Sequence, residues 1–368
     1  MKLRYKFLNG FLAVVVLAGV TIGIVLSYSS PCEPVPSVAS GEKTMKAVRY
    51  YCYGSTDVLE YGDVEKPTPA DDEVLVKVHA AAVNPLDWHF MRGSPYFMRL
   101  MSGLGKPTDP GLGVDFAGTV EAVGISVTGF KPGDKVFGGA GSGAYADYTL
   151  VHEDGPQVIQ PAGMSFEQGA SVGVGALTAL QALRDKGQLK AGQKVLINGA
   201  SGGVGTFAVQ IAKSMGAEVT GVCSSRNAEM VRSIGADHVI DYKKENYTQS
   251  GERYDVIIDM ISNHSLRDNR KALTPEGRLV MVGGSTGNWF GALVRPLKAS
   301  IYSKFVDEEF VTIMARLNQE DLVIIGDMID EGTVTPVIDR RYPLDEVAAA
   351  LEYSEAGRAR GKIIVEVH

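Results

Sequence analysis

Residues 196–210 read LINGASGGVGTFAVQ: an apolar run, a turn carrying four glycines, then a second run whose apolar residues recur at helical spacing. Val195–Ile197 predict a buried strand, and Val204, Phe207, Ala208, Ile211 and Ala212 predict the face of a helix turned toward it. A strand that breaks into glycines and leaves as a helix suits a phosphate, because backbone N–H groups and the partial positive charge of the helix N-terminus converge there. Gly199 permits the tight turn, Gly202 and Gly203 let a pyrophosphate approach the backbone, and Gly205 lets helix and strand pack closely. With Ala200 and Val204 these are the candidate cofactor contacts. The spacing is G-x-x-G-x-x-G rather than G-x-G-x-x-G, so the flanking pattern must carry the reading.

That pattern is consistent. From about Met164 strands and helices alternate: helix 166–187, strand 194–200, helix 205–216, strand 218–223, helix 227–235, then strands at 238–242, 254–261 and 277–284. Strands spaced by helices imply a doubly wound parallel sheet. Residues 307–332 read as helical, 344–357 as a helix, and 361–367 as a final strand. Before Met164 the runs are short and alternating, with Gly, Pro and Asp between them, as in an antiparallel, barrel-like β domain. At the end of the second nucleotide strand an NAD enzyme places a carboxylate for the ribose hydroxyls. Here the chain reads VCSSRN, and Ser224, Ser225 and Arg226 suit a 2′-phosphate instead, which favours NADPH over NADH.

The chain has 368 residues, 45% of them hydrophobic, and a formal net charge of -7, which supplies no basic field for nucleic acid. Cys32, Cys52 and Cys223 offer neither the number nor the spacing of a disulfide framework or a C-x-x-C zinc site, and the six histidines are scattered. The N-terminus differs in kind. MKLRYKF is basic, and Phe7–Ser30 carries no charge, with its densest apolar core at Phe11–Leu26. A spanning helix needs about 20 apolar residues, so residues 1–30 read as a signal anchor or signal peptide. An uncleaved single-pass membrane anchor is expected, followed by a Pro/Ser-rich tether at 31–44. The alternative is translation from Met45, which gives a soluble cytoplasmic enzyme.

Taken in order, PGLGVDFAGTVEAVG, FKPGDKVFG, GAYADY, VLINGASGGVGTFAVQIAK, GADHVIDY and GKIIVEV resemble the zinc-free quinone oxidoreductase and enone reductase branch of the medium-chain dehydrogenases/reductases, over Met45–His368. The resemblance implies an α/β fold: a GroES-like catalytic domain (45–168), a Rossmann NADP-binding domain (169–307) and a return to the catalytic domain (308–368), with the cofactor in the cleft between them. By the same resemblance, Thr178 lies near the nicotinamide carboxamide, Tyr242 beside the adenosine phosphate, Gly283 after the strand that passes the nicotinamide, and Lys362 on the cofactor side. Zinc-dependent relatives carry a Cys near the position of Asn84, and GHE where this chain has Gly113-Val114-Asp115, so no metal is expected.

In that branch hydride passes from NADPH to an electron-poor carbon while the protein orients the reactants and stabilises the developing oxyanion. Asn84, Asp87 and His89 stand where relatives keep active-site polar groups: Asn84 as an amide donor, His89 as a candidate proton source, Asp87 as support for the local turn. Trp88, Phe90, Tyr96, Phe97 and Trp289 are candidate pocket walls for a flat, conjugated quinone or enone. The alternatives are an enoyl-thioester reductase and a non-catalytic NADPH-binding membrane protein. Relatives of this kind imply a homo-oligomer. The apolar stretch 285–305 reads as a loop that covers the pocket, pairs subunits or rests on lipid.

Overall fold

The two sequence patterns become two large sheets. The computed structural model describes residues 17–33, 38, 43–283, 289 and 291–368. In chain order these form α1 (17–27), β1 (Thr44–Tyr50), β2 (Leu59–Glu65), β3 (Glu73–Val83), α2 (Pro85–Arg92), α3 (Arg99–Ser102), β4 (Asp115–Val123), β5 (Lys135–Gly139), β6 (Tyr148–His152) and β7 (Gln157–Ile159). Next come α4 (Phe166–Gln181), β8 (Lys194–Asn198), α5 (Gly203–Ser214), β9 (Glu218–Cys223), α6 (Ala228–Ser233), β10 (His238–Asp241), β11 (Tyr254–Asp259), α7 (Leu266–Lys271) and β12 (Leu273–Met281). The chain ends with α8 (Gly291–Tyr302), β13 (Glu309–Thr312), α9 (Gln319–Asp330), β14 (Ile338–Pro343), α10 (Val347–Glu355) and β15 (Lys362–Glu366).

Six parallel strands run in the order β10-β9-β8-β11-β12-β13. Counted from β8 this is 3-2-1-4-5-6, the dinucleotide-binding order, and the glycine turn leaves β8 at the point where the order reverses. The other large sheet runs β14-β15-β3-β4-β5-β7, with β6 also on β3, and is antiparallel except for β14–β15. Helix α4 joins the two. Ser165 starts it, accepting a hydrogen bond from Gln168 N at 3.2 Å, and its Ala170, Val172, Ala176, Leu177 and Leu180 share one core with Ala117 and Phe137 of the antiparallel sheet and with Phe207 and Ile211 of α5.

Four expectations are corrected here. Residues 309–312 are a strand, not part of a helix: Phe310 is buried, and the segment extends the parallel sheet beside β12. Residues 291–302, expected in a loop, are helical despite Pro296. Cys32 and Cys52 form a disulfide with Cα atoms 5.2 Å apart, a pairing made by tertiary proximity rather than by a sequence framework. The membrane anchor is not found either. Among the described residues no helix is long and apolar enough to cross a membrane; the helix at 17–27 ends before Tyr28, and Ser30 N donates to Gly105 O at 2.8 Å. Residues 1–16, 34–37 and 39–42, with the basic start and most of the expected tether, lie outside the described residues, as do 284–288 and 290.

Candidate active site

Strand β8 is buried throughout Val195–Ile197 and delivers the glycine turn to the switch point. Two of its glycines serve the fold. Gly199 has φ +98°, a left-handed conformation, and a Cβ on Gly205 would lie 2.1 Å from Gly199 O. The other two leave space. A Cβ on Gly202 would meet only Gly199 O, at 3.6 Å, and one on Gly203 would touch Lys362 Cδ at 3.4 Å, so a side chain there would fill the room above the turn. Helix α5 starts at Gly203, and its first N–H groups have no intrahelical acceptors. This cradle fits a nucleotide pyrophosphate.

Opposite the turn, the antiparallel sheet brings up a buried polar cluster. Gly202 and Gly361 form an isolated β-bridge, which sets Lys362, at the start of β15, beside the glycine turn. Lys362 is 2% exposed. Its Nζ donates to Asn84 Oδ1 (2.7 Å) and Asp115 Oδ2 (3.2 Å). Asn84 Nδ2 donates to Asp115 Oδ2 (3.0 Å) and Ala82 O (3.4 Å). The Asn84 amide is therefore committed within the protein on both its N and O atoms, and Lys362, with one ammonium proton unassigned among the described residues, is the better donor toward the cleft. Asp115 is pinned further by Val174 N at 2.9 Å, and a Cβ on Gly173 would collide with Asp115 Oδ1 at 2.1 Å.

Asp87 sits in the first turn of α2, behind this cluster. Its Oδ2 accepts from Asn84 N (2.7 Å) and Tyr145 OH (2.9 Å), which caps the helix that Pro85 starts. Oδ1 is buried with no partner. Burial pushes the Asp87 carboxyl up to about 7, assisted by Asp115 and opposed by its two hydrogen bonds and by Lys362. One buried cation thus faces two carboxylates, paired directly with Asp115 and lying beyond Asn84 from Asp87.

A pH dependence follows. Because the folded value lies above the ordinary carboxylate range, the folded state holds a proton that the unfolded chain has released, and stability falls as pH rises between about 4 and 7. Asp87→Asn mimics the protonated form. Urea unfolding across that window is expected to show the variant gaining on the native protein by at most about 1.4 kcal/mol per pH unit, and a constant difference would refute the assignment.

The other sequence candidates separate. His89 Nδ1 donates to Ser94 O at 2.6 Å and its ring lies 3.8 Å from that of Trp88, while burial lowers its pKa. The Nδ1 proton is thereby committed to the Ser94 carbonyl. Thr178 is buried in α4 and donates to Val174 O at 2.6 Å. Ala200 is fully buried and Val204 partly so; Gly283 approaches Met260 O so closely that a Cβ would lie 2.1 Å from it. At the end of β9 Ser224 is buried, whereas Ser225, Arg226 and Tyr242 are exposed.

Two features went unread in the sequence. Arg226 Nη2 donates to Arg358 O (3.2 Å) and Arg360 Nη2 to Arg226 O (3.0 Å), which ties the turn carrying Arg358 and Arg360 to the end of β9. Among the described residues none of the three guanidinium groups forms an ion pair, and Arg360 N donates to Asp339 Oδ2 at 2.9 Å. Beside the turn, Asn198 Nδ2 donates to the fully buried Asp259 (2.9 Å), which also takes Arg295 Nη2 at 3.1 Å, tying together the ends of β8 and β11.

The alcohol dehydrogenase GroES-like domain matches residues 70–162, and the zinc-binding dehydrogenase domain matches residues 234–365. A quinone oxidoreductase from Sus scrofa is 36% identical over 344 residues, covering 89% of this chain and 99% of that protein. The chain belongs to the medium-chain dehydrogenase/reductase superfamily. Within that superfamily it is an oxidoreductase, a homologue of the quinone oxidoreductases, with a GroES-like domain and a parallel Rossmann sheet. The 2-methylene-furan-3-one reductase of Solanum lycopersicum is 35% identical, covering 87% of this chain and 79% of that protein. The Coxiella burnetii quinone oxidoreductase structure superposes with a TM-score of 0.79 at 31% identity, covering 89% of this chain and all of that one. The Escherichia coli quinone oxidoreductase, solved as a complex with NADPH, gives 0.75 at 25% identity, covering 88% and 100%. A nicotinamide cofactor is supported on both counts, the switch-point cradle and this relative. The zinc implied by one domain description has no donor set to hold it at Asn84 and Gly113–Asp115: the amide is already bonded and Asp115 is paired with Lys362.

Proposed function

We propose that the protein is an NADPH-dependent, metal-independent reductase of quinones or α,β-unsaturated carbonyls, working in the cleft between a catalytic domain (45–168 and 308–368) and a nucleotide domain (169–307). The observation that carries this reading is Lys362, a buried ammonium held by Asn84 and Asp115 against the N-terminus of the glycine-turn helix. When bound, the reduced nicotinamide supplies a hydride. The backbone of Gly202–Gly205 would hold the pyrophosphate, and Thr178, Gly283 and Lys362 would border the nicotinamide end. Lys362 presents fixed positive charge where negative charge develops on the acceptor oxygen, and its two protein partners keep it from reorganising as that charge appears. With His89 donating to Ser94, the proton that completes reduction comes from water.

For the cofactor, the exposed Ser225 and Arg226, with the Arg360 guanidinium bonded to the Arg226 carbonyl, favour the 2′-phosphate, which guanidinium groups bind through charge-assisted hydrogen bonds. Arg226→Ala is expected to weaken NADPH binding by about 10- to 100-fold and leave NADH binding within about twofold, since hydrogen bonds to a charged group are worth about 1.5–3 kcal/mol. Equal losses for both nucleotides, read by fluorescence titration, would overturn the choice. The reaction itself is tested by NADPH oxidation at about 340 nm against a quinone, a short enone and a long enoyl thioester, with and without a chelator. Chelator-insensitive turnover of the first two is the expected result; turnover confined to the thioester, or abolished by the chelator, would replace this reading.

A further inference from the structure

Residues 17–33 are fastened onto the wall formed by α2, the turn at Tyr96–Met98 and α3. Arg99, 3% exposed, donates from Nη1 to Leu26 O (3.1 Å) and Tyr28 O (2.7 Å), and from Nε to Gly93 O (2.8 Å). Its guanidinium lies 4.5 Å from the Tyr53 ring centre and 4.7 Å from that of Tyr96. Ser30 N reaches Gly105 O, and two residues on Cys32 is bonded to Cys52. Three residues before Leu26 the segment also meets the nucleotide side: a Cβ on Gly23 would lie 3.4 Å from the Trp289 indole, and that indole meets Tyr96 edge-on at 4.8 Å. Tyr96 from one sheet's side, Trp289 from the other's and α1 therefore converge at a single junction. The wall they meet runs back along α2 to Asn84, which caps that helix and bonds Lys362; an eight-residue helix is about 12 Å long.

The fastening is mutual. A buried cation is tolerated only when hydrogen-bonded, and the N-terminal segment supplies two of the three carbonyls that Arg99 uses among the described residues. Freeing the segment strips Arg99 and loosens the wall that carries Tyr96.

We propose that residues 17–33 form a roof over the acceptor end of the cleft, held down by Arg99 and the Cys32–Cys52 bond, and that this roof selects acceptors by size. Small flat acceptors enter beneath it, and acceptors carrying a long apolar tail are turned away. The inference rests on the reductase reading above.

The test compares the full-length protein with its C32S/C52S variant in NADPH oxidation, using 1,4-benzoquinone and a quinone bearing a decyl chain, alongside hydrogen exchange over residues 85–102. The variant is expected to keep kcat/KM for benzoquinone within about twofold and to raise it about tenfold for the tailed quinone, with faster exchange across the wall. An unchanged ratio between the two quinones overturns the roof, whatever the exchange shows. Should neither form reduce any acceptor, the reductase reading fails, and the size-selecting role falls with it; exchange then reports separately whether the disulfide holds the wall. If the variant does not fold, the native protein in a Cys223→Ser background is reduced with dithiothreitol, its two freed thiols are alkylated with iodoacetamide, and the reagents are removed before the assay; this open state is judged by the same ratio.

Discussion

Lys362→Met is expected to lower kcat/KM for quinone reduction by about two orders of magnitude, the range seen when a preorganised donor to a developing oxyanion is removed. The same change leaves Asp115 as an uncompensated buried charge, and breaking a buried pair from one side costs about 3–5 kcal/mol. Two effects therefore overlap, and a second substitution separates them. Adding Asp115→Asn removes the orphaned charge, so the double variant is expected to recover most of the unfolding free energy while turnover stays low. Urea unfolding and steady-state kinetics on the same samples decide the matter: if activity returns together with stability, Lys362 acts only as a structural counter-ion and the proposed mechanism is wrong.

Gly205→Ala is expected to abolish measurable NADPH binding and to destabilise the protein by about 2–3 kcal/mol, as overpacking does. The new methyl would lie 2.1 Å from Gly199 O and 2.8 Å from Ala200 Cα, so α5 must retreat from β8 and carry the cradle with it. Gly203→Ala is the informative partner. Its methyl makes only ordinary contacts, 3.4 Å to Lys362 Cδ and 3.5 Å to Gly361 O, and alanine suits a helix better than glycine. The unliganded protein should be as stable as before while NADPH affinity falls. Equal behaviour of the two variants in unfolding and in fluorescence titration would erase the distinction between glycines kept for the fold and glycines kept for the ligand.

What could be read from the chain followed the range of the interactions. The glycine turn, its strand and its helix are neighbours in sequence, and their apolar spacing reports their packing directly. Lys362 was identifiable as a cofactor-side residue by resemblance, but its bonds to Asn84 and Asp115 span 278 and 247 positions and leave no periodic trace. The same holds for Arg358 and Arg360, which reach Arg226 only because β15 docks beside the nucleotide sheet. Strand β13 was hidden because four residues at a sheet edge blend into the apolar pattern of the segment that follows, and α8 because Pro296 argues against a helix. Residues 11–26 read as a membrane span on apolar length alone. Length cannot register that Arg99 and Cys52 wait in the folded protein to hold the end of that segment down.

Strand β15 does two things at once. It lies between β14 and β3, pairing with Ala80–Val83. Without it, that stretch of β3 would present bare N–H and C=O groups, an open edge that invites pairing with another chain. The strand that covers this edge also carries Lys362 to Asn84 and Asp115. Displacing β15 therefore removes the buried ammonium and uncovers the edge together, so its loss is expected to promote aggregation.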